Sequence, residues 1–208
     1  MTTFVRFAGC NMRCPGWPCD TPHAIDPAIW RFESERLDAF TLAQRVMAVS
    51  EDVGSYNICY TGGEPFMQPD GELHELTRIL AGHAYQCEVF TNGSYRFRDW
   101  ARYGLTIMMD WKLAGSGEAQ SHRAERQWNA GLLKPGDGVK FVVKDVDDLD
   151  EARRVEAVLK TNAQIWVGAA WGHIRDVDIV DYIKYHKLPW RLNVQTHKHI
   201  WEPTARGV

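Results

Sequence analysis

The sequence predicts an α/β fold, namely an incomplete (β/α)6-type TIM barrel with a mostly parallel sheet. Apolar strand-like runs alternate with helical segments along the chain, which favours helical crossovers and parallel pairing of successive strands. About six such repeats can be counted, which is too few for a closed eight-fold barrel. The polar motifs follow the strands at their carboxyl ends, the edge where α/β folds bind their ligands.

The predicted strands are short apolar runs that end at polar or glycine-containing turns. In chain order they cover residues 3–7, 56–61, 87–91, 105–109, 139–144 and 165–170, followed by a last extended run at 191–194. The predicted helices lie at residues 41–50, 71–83, 95–103, 120–131, 149–159 and 177–186. The first helix places Leu42, Val46 and Val49 on one face, with Thr41 as a candidate N-cap.

Composition and length limit the class of protein. The chain has 208 residues, of which 45% are hydrophobic, and we expect a single domain over residues 1–208. The net charge of −3 and the lack of a long basic run argue against nucleic-acid binding. No apolar stretch approaches the length of a membrane span. Cys59 and Cys87 fall inside apolar runs and are predicted to be buried free thiols. With no secretory signal, we expect a cytoplasmic protein.

Three cysteines in one short loop carry most of the chemical information. Cys10, Cys14 and Cys19 follow the first predicted strand, and three thiolates are one fewer than closes a zinc site or an ordinary iron–sulfur site. A [4Fe–4S] cluster held by three cysteines keeps one iron open for another ligand, as a radical S-adenosylmethionine enzyme requires. A zinc knuckle that uses His23, or a disulfide with one free thiol, are the alternatives.

A glycine-rich turn after the second predicted strand strengthens the cluster interpretation. Residues 61–65 read Thr-Gly-Gly-Glu-Pro. Glycine lets the backbone approach a ligand closely and a carboxylate accepts hydrogen bonds from an ammonium group. Together, the cysteine loop and the glycine turn resemble the motifs of the radical S-adenosylmethionine superfamily. The resemblance implies that Gly62, Gly63 and Glu64 receive the methionine end of S-adenosylmethionine.

Four stretches make the resemblance more specific: residues 4–11, residues 19–21 (Cys-Asp-Thr), residues 61–65 and residues 194–198 (Val-Gln-Thr-His-Lys), with residues 140–143 as a further similar strand. They resemble the 7-carboxy-7-deazaguanine synthase family of the queuosine and 7-deazapurine pathway. The resemblance implies a lyase-type radical enzyme that converts 6-carboxy-5,6,7,8-tetrahydropterin to 7-carboxy-7-deazaguanine with loss of ammonia. It implies three cofactors: a [4Fe–4S] cluster, S-adenosyl-L-methionine and Mg²⁺.

The same resemblance implies roles for individual residues, with none assigned as a catalytic acid or base. The implied set comprises Cys10, Cys14 and Cys19 for the cluster, Thr21 for Mg²⁺, Gly62, Gly63, Glu64, Asn92, Asp110 and Lys112 for S-adenosylmethionine, and Arg6, Thr61 and His197 for the pterin. A guanidinium suits bidentate contact with the substrate carboxylate, and a hydroxyl oxygen suits the hard magnesium cation. Implied partners are an electron donor such as flavodoxin or ferredoxin and a second copy of the chain in a homodimer.

The sequence departs from the family pattern in three places. The cysteines are spaced by three and then four residues, where three and then two are usual, so the loop has two extra residues. Asp110-Trp111-Lys112 stands where Ser-Pro-Lys is typical. We also expect the family's N-terminal strand and Gln-Gly-Glu-Gly loop to be missing. Two other functions stay open at this stage, a glycyl-radical-enzyme activase-like protein and a catalytically inactive cluster-binding protein.

Overall fold

The computed structural model describes residues 1–96 and 104–206. Within them, seven strands form one sheet in the order of the chain, and every neighbouring pair is parallel. The strands are β1 (Thr2–Phe7), β2 (Asn57–Gly62), β3 (Gln86–Thr91), β4 (Thr106–Trp111), β5 (Gly138–Val143), β6 (Gln164–Ala169) and the short β7 (Arg191–Leu192). The predicted parallel, incomplete barrel is confirmed, because β7 does not pair back onto β1 among these residues.

The helices of the described residues flank this sheet. They are α1 (Pro22–Ile25), α2 (Pro27–Glu33), α3 (Ala39–Asp52), α4 (Asp70–Gly82), α5 (Arg123–Ala130), α6 (Val146–Val158), α7 (Asp176–His186) and α8 (Thr196–Ile200). Five predicted helices match α3 to α7 within a few residues, whereas most of the helix predicted at 95–103 lies outside the described residues. Helices α1, α2 and α8 are additions to the predicted set.

The start of α3 corrects one prediction. The N-cap is Asp38, whose carboxylate accepts a hydrogen bond of 2.7 Å from the backbone N–H of Thr41. Thr41 is therefore inside the helix rather than its cap, because the Asp38 carboxylate three residues earlier already accepts from a free amide of the first turn. The predicted apolar face is also wrong at one position: Val46 is buried, but Val49 is 55% exposed.

Successive side chains of each strand point to opposite faces of the sheet, so one face packs in the core and the other lines the barrel interior. The core face carries fully buried apolar side chains that meet the helices, including Ile58, Tyr60, Val89, Met109, Phe141 and Val167. The opposite face is more polar toward the carboxyl ends of the strands, where Thr61, Asp110 and Lys140 line a cavity. Cys59 and Cys87 are buried free thiols, as predicted. In the part of the chain described, no helix is long and apolar enough to cross a membrane.

Candidate active site

The carboxyl ends of the strands surround a cavity of about 210 Å³. It brings together most of the residues predicted from the sequence: Cys10, Cys14, Cys19, Thr21, Thr61, Gly62, Gly63, Asn92, Asp110 and Lys112. Three predicted residues, Arg6, Glu64 and His197, are not part of this lining. The cysteine loop after β1 and the glycine turn after β2 thus form one site, as their positions at adjacent strand ends require.

Two backbone hydrogen bonds hold the glycine turn against the cysteine loop. The N–H of Gly63 donates to the carbonyl of Phe7 at 2.8 Å, and the N–H of Glu64 donates to the carbonyl of Gly9 at 2.8 Å. A Cβ atom added to Gly63 would lie 1.8 Å from the Gly9 carbonyl oxygen, where no side chain fits. Gly62 has a φ of +115°, which favours glycine. The two glycines therefore set the position of the loop that carries Cys10.

Glu64 has a different place from the one predicted. Its side chain is fully buried, and its two carboxylate oxygens accept hydrogen bonds from the Thr91 hydroxyl at 2.7 Å, the Asn92 N–H at 2.7 Å and the Phe66 N–H at 3.0 Å. Burial raises the pKa of Glu64 to about 7, although these donors oppose the rise. The carboxylate ties the glycine turn to the end of β3, so its oxygens are already occupied within the protein.

Asn92 reaches the cysteine loop through a small amide network. Its side-chain N–H₂ donates to the Asn11 oxygen at 3.0 Å and lies 3.7 Å from the Cys10 sulfur. The Asn11 N–H₂ in turn donates to the Ser94 hydroxyl at 2.9 Å. Asn11 was missed as a site residue, although its place directly after Cys10 was the available signal.

Asp110 and Lys112 form a mostly buried ion pair on the cavity wall, with 3.0 Å between the Asp110 Oδ2 and the Lys112 Nζ. The other Asp110 oxygen, Oδ1, is buried and has no hydrogen-bond partner. Burial alone would raise the pKa of Asp110, but Lys112 and Lys140 outweigh it, so this pKa lies below its usual value. The ionised Asp110 carboxylate and the Lys112 ammonium thus place one negative and one positive group on the same wall.

On the side of the cavity predicted to hold the pterin, fewer of the predicted residues line the wall. Thr21 donates from its hydroxyl to the Gly62 carbonyl at 3.0 Å and lies 3.6 Å from the Cys19 sulfur. His197 is exposed. Arg6 is also exposed, and its guanidinium lies over the Phe4 ring at 5.6 Å. The register pairs Arg6 with Thr61, which places both side chains on the cavity face of the sheet.

A contact across the whole length of the chain was missed by the sequence reasoning. The Asp20 carboxylate accepts from the Gln195 side-chain amide at 2.7 Å and forms an ion pair with Lys198. The Lys198 side chain is 6% exposed, and its ammonium lies 5.4 Å from the centre of the Trp171 ring. Within the Gln-Thr-His-Lys stretch, the first and last residues thus hold the cysteine loop, and the exposed His197 does not.

No protein-family model matches the chain. The 7-carboxy-7-deazaguanine synthase of Clostridium acetobutylicum is 30% identical over 213 residues, covering 100% of this chain and 90% of that protein. The enzyme of the same name from Methanospirillum hungatei is 35% identical, covering 97% of this chain and 78% of its own length. This chain belongs to the 7-carboxy-7-deazaguanine synthase family.

Solved structures show the same fold as this member of the family. QueE from Escherichia coli superposes with a TM-score of 0.63 at 22% identity, covering 93% of this chain and 84% of QueE. SuiB from Streptococcus suis, a structure bound to S-adenosylmethionine, has a TM-score of 0.60 at 11% identity and covers 93% of this chain and 47% of SuiB. At these identities the likeness concerns the barrel fold.

The cysteine set of this family member suits a multi-iron cluster. All three thiols are free and line the same cavity. Burial raises the pKa of the Cys10 and Cys14 thiols, and the Lys112 ammonium opposes part of that rise. Three free thiols that line one cavity are a ligand set that suits a cluster, in which each sulfur binds a different iron.

Proposed function

We propose that this chain is a radical S-adenosylmethionine enzyme, of the lyase type, that converts 6-carboxy-5,6,7,8-tetrahydropterin to 7-carboxy-7-deazaguanine. One observation carries the proposal: the three free thiols and the Gly62-Gly63 turn line one cavity, in a chain that belongs to the 7-carboxy-7-deazaguanine synthase family. The curated relatives with this level of identity bear the name of that activity.

The cofactor side of the cavity has donors and acceptors of the required kinds. Cys10, Cys14 and Cys19 would hold the cluster. When bound, the cluster and S-adenosylmethionine supply the radical chemistry that begins the ring contraction. Lys112 offers a cation to the cofactor's carboxylate, and the Asp110 carboxylate on the same wall would accept from its hydroxyls.

The remaining cofactor contacts come from the ends of β2 and β3. Gly62 and Gly63 present backbone at the cavity wall without side chains, so a ligand can approach closely. Asn92 lies beside Cys10 and lines the same wall. Glu64 acts indirectly in this proposal, because its carboxylate holds the turn in place rather than facing the cavity.

The substrate side would bind a carboxylated pterin by charge and by a metal bridge. Thr21 provides a hydroxyl oxygen for Mg²⁺, next to the Asp20 carboxylate on the cavity wall. Thr61 and the neighbouring Arg6 lie on the cavity face, and Arg6 would pair with the substrate carboxylate. His197 would complete the site from α8. Radical hydrogen abstraction needs a fixed distance and direction between the radical and the substrate hydrogen. Binding the substrate at several points would provide both.

The partners in this proposal follow from the same chemistry. An electron donor such as flavodoxin or ferredoxin would reduce the cluster. A homodimer and a cytoplasmic location remain predictions from the sequence.

The test is product formation by the anaerobically reconstituted protein. We expect about four irons per chain and, with S-adenosylmethionine, Mg²⁺, a reductant and 6-carboxytetrahydropterin, formation of 7-carboxy-7-deazaguanine and ammonia. Mass spectrometry would follow the product, and 5′-deoxyadenosine would report cofactor cleavage separately. Cleavage without any deazaguanine would contradict the synthase proposal and favour the activase-like alternative.

Two cysteine variants provide a matched pair for this test. Cys14→Ala removes a thiol from the cavity and should abolish cofactor cleavage. Cys87→Ala removes a buried thiol that contacts Tyr60 on the core face, and it should retain both iron and activity. Full activity in Cys14→Ala would show that the cluster assignment is wrong.

A further inference from the structure

The segment between Cys14 and Cys19, which is longer by two residues than the usual family spacing, lies directly on the turn that follows β4. The N–H of Gly16 donates to the carbonyl of Ser116 at 3.2 Å. A Cβ atom added to Gly16 would lie 1.7 Å from the carbonyl oxygen of Gly115, so only glycine fits between the two backbones. Backbone lies against backbone here, which leaves no flexible side chain to move aside.

This turn is itself anchored on α6 below it. The N–H of Gly115 donates to Asp148 at 2.9 Å, and the N–H of Ala114 donates to Glu151 at 2.7 Å. Asp148 is 2% exposed, and its other oxygen accepts from the N–H of Lys144 at 3.0 Å. The buried Asp148 carboxylate therefore fixes the turn that Gly16 contacts, and this turn does not depend on the cysteine loop for its position.

The turn after β4 also contacts the cysteine loop on the N-terminal side of Cys14. The N–H of Arg13 donates to a Glu118 carboxylate oxygen at 3.0 Å. Arg126, fully buried, donates to the carbonyls of Glu118 at 3.2 Å and of Ala119 at 2.9 Å. Pro15 packs over Gly117, whose φ is +76°. Contacts on both flanks thus bracket Cys14, a residue that itself has a φ of 45°.

We infer that residues 114–118 position the cysteine loop, and that the segment between Cys14 and Cys19 makes this contact. Gly16, Gly115 and Glu118 are then positioning residues for the thiols of Cys14 and Cys19. The inference rests on the proposed function, because it assumes that these thiols bind the cluster. A loop held at both flanks keeps its thiols at the separation that a cluster needs, and supporting contacts of this kind typically change metal affinity by about 10- to 100-fold.

The test compares reconstituted wild type, Gly16→Ala and the control Gly71→Ala. An added Cβ at Gly71 meets no atom within 4 Å, so the control adds the same methyl group harmlessly. We expect iron release to a chelator to be about 10- to 100-fold faster in Gly16→Ala only. The midpoint potential of the cluster should also shift only in Gly16→Ala, which a general loss of stability would not cause.

Equal iron release and equal potential in wild type and Gly16→Ala would overturn the inference. If Gly16→Ala does not fold, Glu118→Ala, which removes the carboxylate that accepts from the N–H groups of Arg13 and Cys14 and pairs with Ser121, is measured in its place with the same readouts. A wild type that holds no iron would refute the proposed function instead. Hydrogen exchange of the Gly16 amide in the cluster-free chain then tests whether Gly16 contacts Ser116. Slow exchange supports the contact, and rapid exchange overturns it.

Discussion

The two sides of the cavity differ in how firmly the protein itself holds them. On the cofactor side, Glu64 accepts three hydrogen bonds, and Asp110 and Lys112 pair with each other. On the substrate side, Arg6 and His197 are exposed. The cofactor side is built from backbone turns and buried polar groups, whereas the substrate side combines two cavity-lining threonines with long side chains that are exposed to solvent.

This difference indicates where substitutions should act through structure and where through ligand binding. A buried polar group loses its partners when one member is changed, which costs free energy of folding whether or not a ligand is bound. An exposed side chain that contacts only a ligand should change binding and leave the fold unaffected. The following predictions test that division.

The largest effect is expected for Gly63→Ala. The added Cβ would lie 1.8 Å from the Gly9 carbonyl oxygen, so the cysteine loop must separate from the glycine turn. We expect loss of both cofactor binding and most of the iron, measured by equilibrium binding and iron analysis. Gly82→Ala, where an added Cβ meets nothing within 4 Å, is the control. Normal iron content and normal affinity in Gly63→Ala would show that the two loops are not interlocked.

Glu64→Gln should lower the free energy of unfolding by about 1–3 kcal/mol. The N–H₂ group of glutamine would replace one carboxylate oxygen and would face a backbone N–H that donates to Glu64, so two donors would meet. The pKa of Glu64 is raised to about 7, so the folded chain binds this proton more tightly than the unfolded chain. Stability from the carboxyl group is therefore present at low pH and is lost as the pH rises from about 4.5 to about 7.

Denaturant titrations at several pH values would measure this effect. The advantage of wild type over Glu64→Gln should shrink across that pH range, since glutamine does not titrate. Glu202→Gln, at an exposed position, should behave like wild type. A pH-independent difference between wild type and Glu64→Gln would contradict the raised pKa.

Thr21→Ala tests the substrate side. The hydroxyl lines the cavity and is the proposed Mg²⁺ oxygen. We expect turnover of the pterin to fall by about tenfold and to depend less on added Mg²⁺, while the cluster and uncoupled cofactor cleavage survive. Thr21→Ser keeps the oxygen and should restore the Mg²⁺ dependence. The proposed ligand role would be wrong if Thr21→Ala responded to Mg²⁺ as wild type does.

The sequence predicted the fold and the meeting of the cysteine loop with the glycine turn, because both depend on short local patterns. Apolar runs mark the strands, and glycines mark the turn that only glycine can form. The hydrogen bonds of Glu64 with Thr91 and Asn92 could not be predicted, since these partners lie 27 and 28 positions away and no local pattern marks them. The short helices α1, α2 and α8 span at most 7 residues, too few to show a helical period.

The contacts that hold the cysteine loop could not be predicted for a related reason. Asp20 and Lys198 are 178 positions apart in the sequence, and no sequence pattern shows that two opposite charges so far apart will pair. The fit of Gly16 against Gly115 depends on the shape of two backbones, which residue types alone do not reveal. The prediction that Arg6 and His197 join the site comes from the family resemblance and remains to be tested by substrate binding.

The smallest effect is expected for Lys198→Met, which removes the ion pair between α8 and Asp20 but leaves the hydrogen bond from Gln195 to Asp20. Lys198 is buried but its partner Asp20 is 52% exposed, so water can solvate the carboxylate left behind. We therefore expect little loss of stability and an increase of about threefold in the pterin KM, since a weak ion pair corresponds to less than about 1 kcal/mol. Lys184→Met, on the exposed face of α7, is the matched control for charge removal. Cofactor cleavage without substrate should stay at the wild-type rate, because Asp20 adjoins Cys19 but binds no cluster iron in this scheme. A loss of iron in Lys198→Met would place this contact on the cofactor side and break the proposed division of the cavity.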